Sequence, residues 1–378
     1  MNKPDGIYRV LQQHLNQQAV GFPATRSGAD IRLLQRLFTP EEAQVALLLS
    51  YRPAPLDQIA DHAAPGLSPQ QTAQLLDRML AKGAVGWKEK NGSSHWFLLP
   101  LVVGMYEGQD GAPTPEFLDA VGAYMQTMAF GKSFLTVKPA QMRTIPIGKS
   151  IPVEHHIATY DQLRALVQDA RGPFVVIPCI CRAAKALQNK PCAQTSRRET
   201  CLGFDDVAAM ILRRQHGRQI TRDEVLAILQ QNEEDGLVLQ PANARQPGFV
   251  CSCCGCCCGM LGFQKWLPHP VDFWASNFQA EVATAVCAGC GKCVVRCQVR
   301  AVALTGPDHT AQLNLSRCIG CGLCVPTCAT GALRLRKKAP ETVPPQDGEQ
   351  LYDEIMANKQ GAWERWRMLM KVALQLRL

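Results

Sequence analysis

Between Cys287 and Cys328 the chain repeats one cysteine spacing, first as CAGCGKCVVRCQ and then, with 20 residues between Cys297 and the next cysteine, as CIGCGLCVPTCA. Both are C-x2-C-x2-C-x3-C, and no other feature of the 378 residues restricts the fold so tightly. Three thiols so close in sequence converge on one point only if the backbone between them turns sharply, and glycines in each loop permit it. The same turn aims successive N–H groups inward, toward whatever anion the thiolates surround. Zinc is the alternative for paired C-x2-C units, but it seldom takes two interlocking repeats.

This spacing resembles the dicluster bacterial-type ferredoxins, in which the fourth cysteine of each repeat ligates the other repeat's cluster. The resemblance implies two 4Fe-4S clusters, one held by Cys287, Cys290, Cys293 and Cys328 and the other by Cys318, Cys321, Cys324 and Cys297. The stretches VRAVALTGPDHTAQLNLSRC and TGALRLRK read as short helix-then-strand returns with alternating apolar residues. Gln298 and Ala329 stand where those ferredoxins usually carry proline, a change expected to alter loop rigidity or potential without removing a ligand.

Six more of the 18 cysteines crowd into CSCCGCCC, residues 251–258. Filling space does not require them, and adjacent cysteines mostly cannot pair with each other as disulfides. The opening MNKPDGIYRVLQQHLNQQ has no apolar export segment, so a reducing, cytoplasmic setting and metal chemistry are expected. Candidate partners precede it in PFVVIPCICRAAKALQNKPCAQTSRRETCLGF, which supplies Cys179, Cys181, Cys192 and Cys201. The run PFVVIPCIC predicts a buried strand with Cys179 and Cys181 on one side, and Cys192 and Cys201 fall in loop-like sequence. Those four could bind one 4Fe-4S cluster by themselves. Cys251, Cys253, Cys254, Cys256, Cys257 and Cys258 could then hold a second, or lend ligands to a larger one. Ten thiols exceed two cubes by two, so some of the six are expected to be non-ligands or to bridge to a second centre. A zinc ribbon, a disulfide and free thiols stay open as alternatives. Arg182 could donate to a sulfide or bound anion, or could be a solvated arginine at a helix start.

The expected fold class is α+β. Residues 1–107 form a helical, winged-helix-like domain, 114–275 a mainly helical Cys-rich domain, 276–338 the ferredoxin-type domain, and 339–378 a linker and amphipathic helix. Residues 28–100 read as four helices and a hairpin, with an N-cap at Thr39 and a turn at Asn91-Gly92. A helix from Pro115 to about Phe130 follows, and Thr221 to Glu224 is a capping box. His155 and His156 are candidate ligands or proton donors, more simply surface residues. The tail AWERWRMLMKVALQLRL could lie in a partner groove or on an anionic membrane surface, or pack on its own domain.

The formal charge is +8, but four thiolate cubes at roughly two negative charges each would cancel about that much. DNA is thus not an expected partner, and the helix from Ser68 to Lys82 is thin in the cations that phosphates need. No run of 18 apolar residues, no P-loop and no dinucleotide fingerprint is present. The ordered series IPCICR, ETCLGF, CSCCGCCC and the paired repeats resembles multi-cluster, winged-helix-like iron–sulfur proteins of anaerobic and facultative bacteria. Three functions are consistent with this: an electron-transfer protein working with a redox partner, a reductase whose middle centre binds substrate, or a redox-responsive regulator.

Overall fold

The computed structural model describes residues 5–62, 67–109, 113–151 and 158–359, with 361, 367, 370 and 374. His155, His156 and most of the tail lie outside the described residues.

The first helices are α1 (Asp5–Gln17), α2 (Ala29–Leu37) and α3 (Pro40–Ala46). Thr39 caps α3 reciprocally with Glu42, and Pro40 occupies the first helical position, where its missing N–H costs nothing. A short strand β1 (Ala54–Pro55), then α4 (Leu56–Asp61) and α5 (Pro69–Ala81), lead to the hairpin β2 (Val85–Lys90) and β3 (Ser93–Leu98). Asn91 and Gly92 both have positive φ at its tip, as a two-residue primed turn demands. The sheet order is β1-β3-β2. The helix expected from Pro115 to Phe130 is two: α6 (Pro115–Met125) and α7 (Met128–Leu135). Thr127 caps the second by accepting the Phe130 N–H, which splits them. Both helices join the N-terminal apolar core through Phe117, Val121, Tyr124 and Phe130.

The middle segment was expected to be mainly helical around one strand. Helices α8 (Leu163–Asp169), α9 (Ile180–Leu187), α10 (Asp205–Arg213) and α11 (Arg222–Glu234) are present. Its framework, however, is a five-stranded antiparallel sheet of β4 (Phe174–Pro178), β5 (Glu199–Phe204), β6 (Arg218–Ile220), β7 (Val238–Pro241) and β8 (Phe249–Cys253). The order is β6-β4-β5-β8-β7. These strands are short and interrupted by helices, so sequence alternation alone did not reveal them. The extended segment at 142–147 covers the β7 edge: Ile145 donates to the Leu239 carbonyl, and Ile147 to that of Cys321.

After α12 (Gly259–Gln264) come β9 (Phe278–Val282), α13 (Lys292–Arg296), β10 (Val302–Thr305), β11 (Thr310–Leu313) and β12 (Leu333–Lys337). β9 pairs antiparallel with β12, and β10 with β11. A single apolar core runs from Ile145 to Leu335 through the middle and cysteine-repeat segments. Beyond it, α14 (Gly348–Ala357) buries Leu351 and Ile355 against Ala19 of the N-terminal part. There Asp353 accepts hydrogen bonds from Tyr51 and Arg52.

Candidate metal centres

The repeats place their thiols in two neighbourhoods. Cys297 shares the electrostatic field of Cys318, Cys321 and Cys324, and Cys293 that of Cys287 and Cys290. Helix α13, which carries Cys293, packs on the turn at Val325–Thr327 that precedes Cys328. Backbone N–H groups already point at sulfur: Ala280 donates to Cys318 at 3.3 Å, Ala301 to Cys297 at 3.1 Å and Ala311 to Cys287 at 3.4 Å. Burial drives the Cys321 thiol well up and that of Cys324 to about 12, so a bound metal is what would ionise them. At Cys328 burial acts upward too, but the Thr330 hydroxyl and nearby N–H groups outweigh it and lower the thiol.

The ten other cysteines divide in a way the sequence did not disclose. β8 ends at Cys253, a turn spans residues 254–257, and α12 begins after its cap residue Cys258. Strand alternation sends Cys251 and Cys253 to one side while Ser252 turns to the other, where its hydroxyl accepts from Asn232 at 2.8 Å. Cys251, Cys253 and Cys258 meet Cys179, Cys181 and Cys201. Neighbouring thiols of the six interact electrostatically around a closed circuit, 179–181–258–253–251–201–179. Continuing the Leu202–Val250 register by one residue sets Cys201 opposite Cys251.

Three corrections follow. Cys179 and Cys181 are not on a strand, because β4 stops at Pro178 and Cys179 is the cap of α9. Cys201 is in β5 rather than a loop. Cys179, Cys181, Cys192 and Cys201 do not form a foursome, because Cys192 joins Cys254, Cys256 and Cys257 instead. In that quartet all sulfurs lie within 4.8 Å of one another. Cys254 is pushed down to about 5 by its contact with Cys257, burial opposing and Arg182 assisting.

Arg182 stands between the two groups and is 4% exposed, which rules out a solvated role. It donates to Thr200 Oγ1 at 2.5 Å and the Ser252 carbonyl at 2.9 Å, with Cys254 Sγ 3.9 Å away. Burial opposes its charge, yet the fields of Cys179 and Cys254 raise its pKa further. Its Nε, though buried, has no protein partner. A donor left over beside clustered thiols suits an anionic metal–sulfur group.

Two residues that the sequence reading passed over reach the six-thiol circuit from the N-terminal part. The Tyr106 hydroxyl meets Cys181, and Glu107 lies close enough to feel Cys179 and Cys251. Glu107 accepts the Gly104 N–H at 2.9 Å, and Val103 just before it has a φ of 63°, strained for a β-branched residue. Nothing in the local sequence around YEGQ signals a site.

Residues 286–332 match the family model of the 4Fe-4S dicluster domain. The dicluster domain is therefore a ferredoxin-like module that binds 4Fe-4S clusters, and with the other cysteines it marks the chain for iron–sulfur electron transfer. No curated protein and no solved structure matches the chain. No helix among the described residues is long and apolar enough to cross a membrane. The middle cysteines dock directly on the dicluster domain: Gln298 Oε1 accepts the Gly255 N–H at 2.9 Å, and a Cβ on Gly255 would collide with the Gln298 carbonyl. The residue that replaces the usual proline is thus a contact to the CSCCGCCC turn. Arg296 and Arg317 extend the contact by donating to the carbonyls of Glu233 and Gln264.

Proposed function

We propose that the chain is an electron-transfer protein with two 4Fe-4S clusters on its dicluster domain and a further iron–sulfur centre on the six-thiol circuit, exchanging electrons with a redox partner. Clusters of this kind supply one-electron redox chemistry when bound. The observation that carries the reading is the spacing of the circuit. Among the described residues, no three of its thiols are close enough together to share one ion, and the same holds for the dicluster cysteines. Both sets fit a polynuclear group. The repeat cysteines are assigned as the resemblance implies, Cys287, Cys290, Cys293 and Cys328 to one cluster and Cys318, Cys321, Cys324 and Cys297 to the other. Cys290 is exposed, and Val286 and Val295, four and five residues from it in the chain, are 52% and 84% exposed, apolar surface suited to a partner.

The N-terminal winged-helix-like unit is read as a docking element. Asp77 of α5 pairs with Arg213 of α10, and Lys88 of β2 with Asp206. Glu42 occupies Lys82 and Arg78, so little free cation is left on that face for phosphate. A second reading, a reductase acting at the six-thiol centre, draws on Tyr106 and Glu107, groups able to hold a proton beside it.

Iron and acid-labile sulfide on anaerobically purified protein test the main reading. About twelve or more irons, with a share lost in Cys251→Ser/Cys258→Ser, are expected. About eight irons, unaltered in the variant, would leave only the dicluster domain loaded.

A further inference from the structure

We propose that Cys192, Cys254, Cys256 and Cys257 form a separate mononuclear site that binds one tetrahedral divalent ion, zinc or ferrous iron, through four thiolates. The measure is size. Four thiolates bound at about 2.3 Å to one tetrahedral ion stand about 3.8 Å from one another. The observed sulfur separations are 3.6 Å for Cys192–Cys254, 3.7 Å for Cys192–Cys256, 3.4 Å for Cys254–Cys256 and 3.7 Å for Cys256–Cys257. A cube would drive these sulfurs apart, because each thiolate would bind a different corner iron. The same molecule supplies the comparison: among the described residues this is the one group of thiols so compact, and the cysteines that match the dicluster family are spread more widely.

Local structure explains the convergence. The tight turn at 254–257 brings three sulfurs to one side, and the loop between α9 and β5 brings Cys192 down on them. Arg197 anchors that loop by donating to Asp235 at 2.7 Å and Asn232 at 2.7 Å. Four thiolates on a divalent ion carry two excess negative charges, and the buried guanidinium of Arg182 near Cys254 offsets one. With four protein ligands the site has no open position, so its ion clamps two loops and does no chemistry on a substrate. The turn so held is the one that rests on Gln298. This site stands whether or not the six-thiol circuit holds iron.

The test uses the full chain, purified anaerobically and analysed for zinc, iron and sulfide. One zinc per chain is expected, and zinc-edge X-ray absorption should show four sulfurs at about 2.3 Å and no iron neighbour. In Cys192→Ser/Cys256→Ser that one ion disappears with sulfide unchanged, whereas Cys256→His keeps it. If the ion is iron, the variant loses one sulfide-free iron and, on oxidation, its high-spin ferric EPR signal. Loss of iron and sulfide in equal amounts would overturn the proposal, as would a wild-type protein with neither zinc nor sulfide-free iron. Cys251→Ser/Cys258→Ser separates the two readings: it should retain the quartet ion, and its failure to lose iron would count against the six-thiol centre alone.

Discussion

Arg182 is the charge on which both thiol groups converge, held by Thr200 and the Ser252 carbonyl. Arg182→Gln keeps a donor but removes the charge. It is expected to weaken retention of the quartet ion by roughly tenfold or more, the usual effect of losing an outer partner of a metal ligand, as read by chelator competition. It should also lower the potential of the six-thiol centre in a redox titration, since a reduced, more negative centre loses its cation. Glu107 titrates in the opposite sense to an ion-paired carboxylate. Burial raises it to about 7, against the N–H bonds from Gly104 and its neighbours. The folded chain therefore binds a proton that the unfolded chain releases above its ordinary 4.5. The stability is complete below that value and declines as pH climbs to about 7, by about 3 kcal/mol at most. Glu107→Gln should flatten this decline in denaturant titrations at pH 5 and 7.5, and an unchanged slope would contradict the assignment.

Among the elements, α11 holds the cysteine-bearing strands together. Asn232, fully buried, donates to the Thr200 carbonyl at 3.0 Å and to Ser252 Oγ at 2.8 Å, bridging β5 to β8 where Cys201 and Cys251 lie. Asn232→Leu leaves those groups and Arg197 short of partners. A loss of about 1–3 kcal/mol per orphaned group is expected in the denaturant midpoint, with iron lost from the six-thiol centre first. Thr221→Ala at the start of the same helix removes a cap far from the thiols. It should cost about 1 kcal/mol and leave the metal content intact. If both variants lost metal equally, α11 would matter only through general stability.

At the scale of the whole molecule, one core joins the middle segment to the dicluster domain, and the buried Asp161 ties the two by accepting from Arg143 and Asn277. These parts should unfold together, so far-UV circular dichroism and cluster absorbance should fall at one temperature; two separated steps would show independent domains. The sequence alone determined what depends on neighbours in the chain. The dicluster repeat, the caps at Thr39 and Thr221 and the Asn91-Gly92 turn were legible because each is written within a few residues. The five-stranded sheet, the docking of Tyr106 and the seat of α14 on Ala19 were not, since each needs partners distant in sequence. CSCCGCCC shows the limit most directly: its composition announced metal, but the division into a compact quartet and a wider circuit of six waited on where β8 stops pairing. That end point is decided by the register of β8 between β5 and β7 and by the loop that delivers Cys192. Tertiary structure decided it because a sulfur's position is fixed by which strand lies beside it, and no local spacing encodes that.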